Sequence, residues 1–175
     1  MAVENRGEGS AWLTWRTIDL PDATIVTNET SQIQISRRFL TPEGLPASMA
    51  KLSRGDLLLA EITLTAPMAR TFSDLVVQDL FPAAFEPVHG GVDPSLYSWA
   101  KDYDGDWVMR SDARDDRMLV FSKKFHLAAG KSVRFLYPLR VVTAGDFVMP
   151  GPTVEAMYAP DIHALTAPER IKVEN

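Results

Sequence analysis

The chain has 175 residues, of which 46% are apolar and 23% charged, with a net charge of −5 and no cysteine. This length suits one globular domain that buries a core without disulfides or a metal. The composition excludes a disordered tail, a disulfide scaffold and a thiol nucleophile. An acidic chain without a basic stripe is also a poor candidate for nucleic-acid binding.

Nothing near the start of the chain predicts export or membrane insertion by this segment. The first ten residues have neither an apolar core nor a cleavage pattern of a signal peptide. We interpret 1–11 as a flexible lead-in or a remnant of expression, and 12–175 as one domain. The longest uncharged stretches are far shorter than the roughly 20 residues of a membrane-spanning helix, so we expect no direct membrane insertion.

Apolar residues alternate with polar ones along most of the chain, which predicts strands. The predicted strands lie at 12–17, 23–27, 33–39, 57–64, 75–80, 106–110, 118–121, 133–142, 145–148, 153–158 and 169–173. Turn signals such as Pro42-Glu-Gly44 separate them. Many short strands without alternating helices predict an all-β fold, an antiparallel β-sandwich.

Alternation also assigns side chains to faces. Leu58, Ala60, Ile62 and Leu64 share one face of a strand, and Glu61 points to the other. By the same rule, the neighbours Arg37 and Arg38 point to opposite faces and form no continuous basic patch.

The stretch 86–106 is rich in Pro, Gly and Asp, and we interpret it as a long crossover between two sheets. One short helix is predicted within it at 94–102, with Asp93 as N-cap and Pro94 as its first residue. A second candidate is a single helical turn near 46–52.

Histidines and carboxylates give little support for catalysis or metal binding. His89, His126 and His163 have no ligand spacing and no evident catalytic partners. The series Asp102, Asp104, Asp106 resembles the opening of a calcium loop. However, the glycine and glutamate that such a loop needs further on are missing, because positions 107 and 113 are Trp and Ala. We therefore predict no metal, no cofactor and no enzymatic activity.

A cluster of alternating charge occupies Arg114, Asp115, Asp116 and Arg117. A glycosidase needs two carboxylates across a cleft, one of them with a raised pKa. Adjacent aspartates flanked by arginines favour ionised carboxylates instead. We predict a structural ion-pair cluster.

Six ordered stretches over about residues 33–160 carry a family resemblance. They are Ile35-Ser-Arg-Arg-Phe39, 77–86, Ser98-Trp99, Arg114-Asp-Asp-Arg117, 137–148 and Glu155-Ala-Met-Tyr158. Together they resemble the C-terminal macroglobulin-like domain, the tenth (MG10), of the bacterial alpha-2-macroglobulins. The resemblance implies a macroglobulin-like, immunoglobulin-like sandwich.

The resemblance also implies a function for the parent protein. It would be a periplasmic endopeptidase inhibitor, anchored to the inner membrane as a lipoprotein, that serves in bacterial defence. It traps proteases when cleavage of a bait region exposes a Cys–Gln thioester in another domain. The implied partners are the other macroglobulin and thioester domains, the target proteases and a penicillin-binding protein of the envelope.

For this domain the resemblance implies a thioester lock. The matching positions are Met157 and Tyr158, followed by Pro160, and they would shield the thioester from water. Ala159 stands where relatives often carry an acidic residue. Some relatives lack the thioester, and in those the same loop would be only an inter-domain contact.

A rival hypothesis is an autonomous carbohydrate- or protein-binding β-sandwich module. A sugar platform needs exposed aromatic side chains. The tryptophans that could form one are Trp12, Trp15, Trp99 and Trp107.

Overall fold

The computed structural model describes residues 28–88, 97–103 and 105–175 and four isolated positions, 7, 9, 12 and 14. The predicted strands from 33–39 onward overlap strands of the structure. The predicted strand at 23–27, and that at 12–17 apart from positions 12 and 14, lie outside the described residues. The strands are β1 Glu29–Ser31, β2 Gln34–Leu40, β3 Leu52–Ser53, β4 Leu57–Thr65, β5 Arg70–Phe72, β6 Leu75–Leu80, β7 Phe85–Pro87, β8 Val108–Arg114, β9 Arg117–Ser122, β10 Phe125–Leu127, β11 Ser132–Val141, β12 Gly145–Met149, β13 Thr153–Ala156, β14 Ala159–Leu165 and β15 Glu169–Glu174. One short 3-10 helix covers Ser98–Asp102. The described part holds no helix long and apolar enough to cross a membrane.

Two large sheets form the body of the fold. One has six strands in the order β1-β14-β13-β6-β9-β8, and the other has four in the order β2-β4-β11-β7. A three-stranded sheet, β12-β15-β3, and the pair β10-β5 complete the described part. All pairs are antiparallel except β15 with β3, and side chains from both large sheets share one buried apolar cluster. The predicted all-β antiparallel sandwich is confirmed.

The predicted faces are confirmed in the four-stranded sheet. Leu58, Ile62 and Leu64 of β4 are buried, and their partners across the ladder are residues of β11 such as Leu139 and Phe135. In β2, the side chain of Arg37 lies on this same inner face, between the two sheets.

The opposite face of β4 and β11 is also covered. A second apolar cluster joins Leu40, Leu59 and Leu136 to Ala100, with Tyr97, Trp99 and Tyr103 packed against it. The segment 97–103 therefore lies across the outer side of the four-stranded sheet. This cover buries side chains that strand alternation alone would leave in solvent.

Glu61 is one of the side chains buried by this cover. It accepts a bidentate hydrogen bond from Arg38, at 2.5 and 3.0 Å, and a third from the Tyr103 hydroxyl. Burial by itself raises the pKa of the Glu61 carboxyl. The hydrogen bonds from Arg38 and Tyr103 outweigh that effect, so the pKa lies below its usual value. The cover is thus attached by charge as well as by apolar contact.

The turn at Gly44 shows why a glycine is required there. Its φ is +83°, and a Cβ would come within 2.7 Å of the Trp99 ring. The indole nitrogen of Trp99 donates to the Pro42 carbonyl at 2.9 Å. A turn predicted from local sequence is therefore also a docking point for the crossover.

The predicted crossover is confirmed in its course, since it connects β7 of the four-stranded sheet with β8 of the six-stranded one. Its helix differs in kind and extent from the prediction for 94–102. The described part is a 3-10 helix that starts at Ser98 after Tyr97. Asp93 and Pro94, the predicted cap and first residue, lie outside the described residues. Near 46–52, where a single turn is predicted, the chain makes one hydrogen-bonded turn, from the Lys51 amide to the Ser48 carbonyl at 3.2 Å, and then enters β3 without forming a helix.

A buried polar cluster joins the sheets. The Arg37 guanidinium of β2 contacts the Asp79 carboxylate of β6 at 2.5 Å, and the Tyr137 hydroxyl of β11 donates to the same carboxylate. Burial raises the pKa of Asp79, while Arg37 and Tyr137 oppose that rise. Arg37 also reaches Glu169 of β15 at 3.2 Å, so the cluster extends to the three-stranded sheet.

Removing one member of this cluster should destabilise the domain strongly. We expect Asp79→Ala to lower the free energy of unfolding by about 3–5 kcal/mol, because it leaves the buried Arg37 guanidinium with only the half-exposed Glu169 as partner and removes the acceptor of the buried Tyr137 hydroxyl. Urea unfolding followed by tryptophan fluorescence measures it. The matched control is Asp112→Ala, which removes an exposed ion pair with Arg114 and should cost at most about 1 kcal/mol. Equal losses for the two variants would contradict the assignment.

Candidate functional site

The most exposed feature of the six-stranded sheet is the turn between β13 and β14. Ala156 pairs with Ala159, so Met157 and Tyr158 form a two-residue turn, here called the tip. Tyr158 is 83% exposed and Met157 is 49% exposed. An aromatic ring and a thioether at a protruding turn have little to contact in this domain, and they are well suited to contact another surface.

The structure changes the prediction for this segment in two ways. The predicted strand at 153–158 ends at Ala156, so Tyr158 lies in the turn and not at the end of a strand. Pro160 does not end the strand region but lies within β14, at its start. The structure therefore brings the three predicted lock residues together at one hairpin, with Met157 and Tyr158 as its tip.

The tip is held in place by the loop before β6. The Met157 amide donates to the Asp74 carbonyl at 3.0 Å, which continues the β13–β6 ladder by one bond. Asp74 has a φ of +56°, a left-handed conformation that aspartate tolerates better than most residues. The next amide, that of Leu75, donates to the buried Ser122 hydroxyl at 2.9 Å. The sequence analysis missed both Asp74 and Ser122, since a single aspartate or serine carries no local signal of this role.

The charged cluster of the sequence analysis lies at the opposite end of the same sheet. Arg114 and Arg117 face each other across the β8–β9 hairpin, with Asp115 and Asp116 in its turn. Arg117 pairs with Asp116 at 2.6 Å, and this hydrogen bond lowers the pKa of Asp116. Arg114 pairs with Asp112 at 3.0 Å. Within the described residues, Asp115 makes no ion pair.

In the described part, no three histidines or acidic residues are gathered into a group that could hold a metal ion. His126 lies in β10 and contacts the Thr71 hydroxyl at 3.1 Å. His163 lies in β14 and contacts the Pro160 carbonyl at 2.8 Å. His89, Asp104 and the side chain of Asp102 lie outside the described residues.

The tryptophans do not form a sugar platform among the described residues. Trp107 is buried and donates to the Arg134 carbonyl at 3.1 Å. Trp99 packs on Gly44, and Trp15 lies outside the described residues. In the described part, Trp12 and Tyr158 are the only large aromatic side chains that are exposed. The arrangement therefore favours the tip over an aromatic platform as the candidate site.

Comparison with known proteins assigns the chain to a family. A family model described as the bacterial alpha-2-macroglobulin MG10 domain matches residues 33–161. Alpha-2-macroglobulin of Pasteurella multocida is 28% identical over 174 residues, which cover 97% of this chain and 8% of that protein.

Solved structures give the same result. A tyrosine-to-glycine mutant of Salmonella alpha-2-macroglobulin is similar with a TM-score of 0.74 and 27% identity, over 86% of this chain and 10% of that one. Native alpha-2-macroglobulin from Escherichia coli, spanning domain MG7 to the C-terminus, has a TM-score of 0.74 and 25% identity. The match covers 87% of this chain and 25% of that one. The chain thus spans a small part of the proteins it resembles.

The left-handed conformation at Asp74 yields a prediction. We expect Asp74→Val to lower the free energy of unfolding by about 1–2 kcal/mol and to speed hydrogen exchange of the Met157 amide, because a β-branched residue fits positive φ poorly. Exchange followed by NMR measures the local effect. Asp146→Val, on exposed strand β12, is the control. Asp74→Asn should keep the stability and the Met157 exchange rate of the parent sequence, because asparagine also tolerates positive φ. Unchanged exchange in Asp74→Val would show that Asp74 does not support the tip.

Proposed function

The chain belongs to the MG10 domain family of the bacterial alpha-2-macroglobulins, and from this premise we propose that it is a non-catalytic domain of a protease-trapping inhibitor whose tip shields a thioester in a neighbouring domain. The observation that carries the proposal is the exposure of Met157 and Tyr158 at a turn whose backbone is fixed by Asp74. A fixed, apolar and exposed turn is the feature that an inter-domain contact requires.

The chemistry of a thioester explains why such a contact would be useful. Water or another nucleophile cleaves the ester bond if it reaches the carbonyl carbon, so a thioester survives only where water is excluded. A tyrosine ring and a methionine side chain together cover a large apolar area. The chain has no cysteine, so the thioester sulfur would belong to another domain of the parent protein.

Burial of the tip also supplies a driving force for the closed arrangement. Fully burying a large apolar side chain stabilises a contact by about 1.5–3 kcal/mol. That energy is small enough to be overcome when bait cleavage rearranges the parent protein, and large enough to keep the site closed before cleavage. A marginal contact of this size suits a lock that must open once.

By the same family argument, we place the parent protein in the periplasm, anchored to the inner membrane as a lipoprotein. Its partners would be the other macroglobulin and thioester domains, the target proteases and a penicillin-binding protein of the envelope. We expect the parent reading frame to carry a Cys-x-x-Gln motif and an N-terminal lipobox. A frame without the Cys-x-x-Gln motif would contradict the lock and reduce the tip to an inter-domain contact.

The decisive test removes the ring of Tyr158 in the full-length parent protein. We expect Tyr158→Ala to increase spontaneous thiol release, without protease, on the order of tenfold, since about 1.4 kcal/mol of lost contact corresponds to that factor. Titration of free thiol over time measures it. Tyr158→Phe keeps the ring, and its rate of spontaneous thiol release should remain close to that of wild type.

Met109→Ala is the matched control, because Met109 is 63% exposed on β8, a different strand of the same sheet. It should leave thiol release unchanged. An unchanged thiol titre in Tyr158→Ala, with the protein folded and the thioester present, would overturn the proposed shielding.

A further inference from the structure

The stem of the β13–β14 hairpin is irregular. Glu155 pairs with His163, yet the next residue, Ala156, pairs with Ala159. Residues 160–162 of β14 are therefore left outside the regular ladder with β13 and form a bulge. Bulges bend a strand and redirect the side chains beyond them.

The geometry of the tip explains why a bulge is present. Two-residue hairpin turns that match regular strands usually need positive φ at a central residue. Neither Met157 nor Tyr158 has positive φ. The stem must absorb the resulting mismatch, and residues 160–162 do so, with Ile162 buried and Pro160 and Asp161 exposed.

Three side chains bind this bulge, from the end of β1, from the residue after β1 and from β14 itself. The Ser31 hydroxyl donates to the Asp161 carbonyl at 2.5 Å, and the Gln32 amide donates to the Asp161 carboxylate at 2.6 Å. His163 Nδ1 contacts the Pro160 carbonyl at 2.8 Å. Gln32 has a φ of +60° and a backbone bridge to His163, which places its side chain against the bulge.

We propose that Ser31, Gln32 and His163 are positioning residues that hold the 160–162 bulge and thereby set the direction of the Met157–Tyr158 tip. This proposal rests on the proposed shielding function, since it concerns the accuracy with which the tip meets its neighbour. Without these contacts the Pro160 and Asp161 carbonyls would turn to water and the stem could adopt several directions.

The contacts of Ser31, Gln32 and His163 with the bulge are here called the brace. The charge of His163 affects one part of it, because a neutral ring has a single N–H and can donate to only one of its two partners. Only the imidazolium can donate from both nitrogens, to the Pro160 carbonyl and to Glu29 Oε1 at 3.2 Å. The groups facing it from the packed strands are Glu29 of β1, Glu155 of β13 and Asp161 of β14. All three are acidic, and Glu29 and Asp161 favour the imidazolium.

These contacts set the sign of the pH effect. The Pro160 carbonyl and then Glu29 raise the pKa of His163 above its usual 6.5. Because the pKa of His163 is higher in the folded state, the stabilisation by its two simultaneous hydrogen bonds is fully present below about pH 6.5. It is lost as the pH rises through the higher folded pKa. The brace should therefore be strongest at mildly acidic pH.

The first experiment measures spontaneous thiol release by the full-length parent protein with substitutions in the brace. Gln32→Glu places a second carboxylate against Asp161 and should raise the release rate severalfold. Ser31→Ala should raise it less, and Ser31→Thr, which keeps the hydroxyl, should restore the wild-type rate. The matched controls are Gln34→Glu and Ser36→Ala, the same changes at exposed positions of β2, and they should have no effect.

The second experiment is a pH profile of the same rate for wild type and His163→Gln. The release rate of the variant, divided by that of wild type, should be about two- to fivefold below pH 6.5 and should fall as the pH rises, because deprotonation removes one of the two exposed contacts of His163 and such contacts contribute modestly. A purely structural role of the histidine would give a ratio independent of pH. Midpoints of thermal unfolding, compared with the controls, confirm that each variant is folded.

Tyr158→Ala, measured in parallel, separates the possible failures. If Tyr158→Ala releases thiol and the brace variants behave like their controls, the positioning role is wrong and the shielding function stands. If Tyr158→Ala also leaves thiol release unchanged, the positioning role and the shielding function are both wrong. Faster release in Gln32→Glu with a pH-dependent ratio for His163→Gln supports the positioning role.

Discussion

The packing of the two large sheets depends on the ion pair between Arg37 and Asp79. Strand β2 supplies the guanidinium, β6 the carboxylate and β11 the Tyr137 hydroxyl that completes the cluster. Charges removed from water are stable only while they are paired and hydrogen-bonded. The sheets therefore cannot shift against each other without leaving a buried charge unpaired, and this constraint sets their relative position more narrowly than apolar contact does.

The same strand that holds Asp79 also supports the candidate site. β6 has six residues, with Asp79 near its end and Leu75 at its start, directly after Asp74. The Asp74 carbonyl receives the Met157 amide, so the tip is connected to the inter-sheet ion pair through one short strand. The exposed turn is thus supported by the strand that carries Asp79 of the buried ion pair. A contact surface needs such support, because an exposed side chain on a mobile loop would lose entropy on binding.

The four-stranded sheet shows how the crossover completes the fold. Its inner face packs against the six-stranded sheet, and its outer face is covered by 97–103 through Leu59, Leu136 and the Glu61 carboxylate. Because both faces are covered, β4 is buried along most of its length. Among the described residues, the six-stranded sheet and its turns carry the exposed side chains of Met109, Met157 and Tyr158.

The fold class, the longer strands and the family could all be predicted from the amino-acid sequence. Strand β6 was predicted with its observed bounds, since apolar alternation over six residues is a local signal. The short strands β1, β3, β5, β7 and β10 were missed, because two or three residues are too few to show alternation. β14 was missed because a proline, here Pro160, disfavours a strand prediction. In a bulge its missing N–H costs no ladder bond.

The contacts of the polar residues depend on tertiary structure and could not be predicted from local patterns. Alternation placed Arg37 and Glu61 on faces, but their partners Asp79 and Tyr103 are 42 residues away in each case. Pairing over such a distance follows from the order of strands in the sheets, which local patterns do not encode. The sequence resemblance identified Met157 and Tyr158, whereas the residues that aim them, from Ser31 to His163, come together only when β1 pairs with β14.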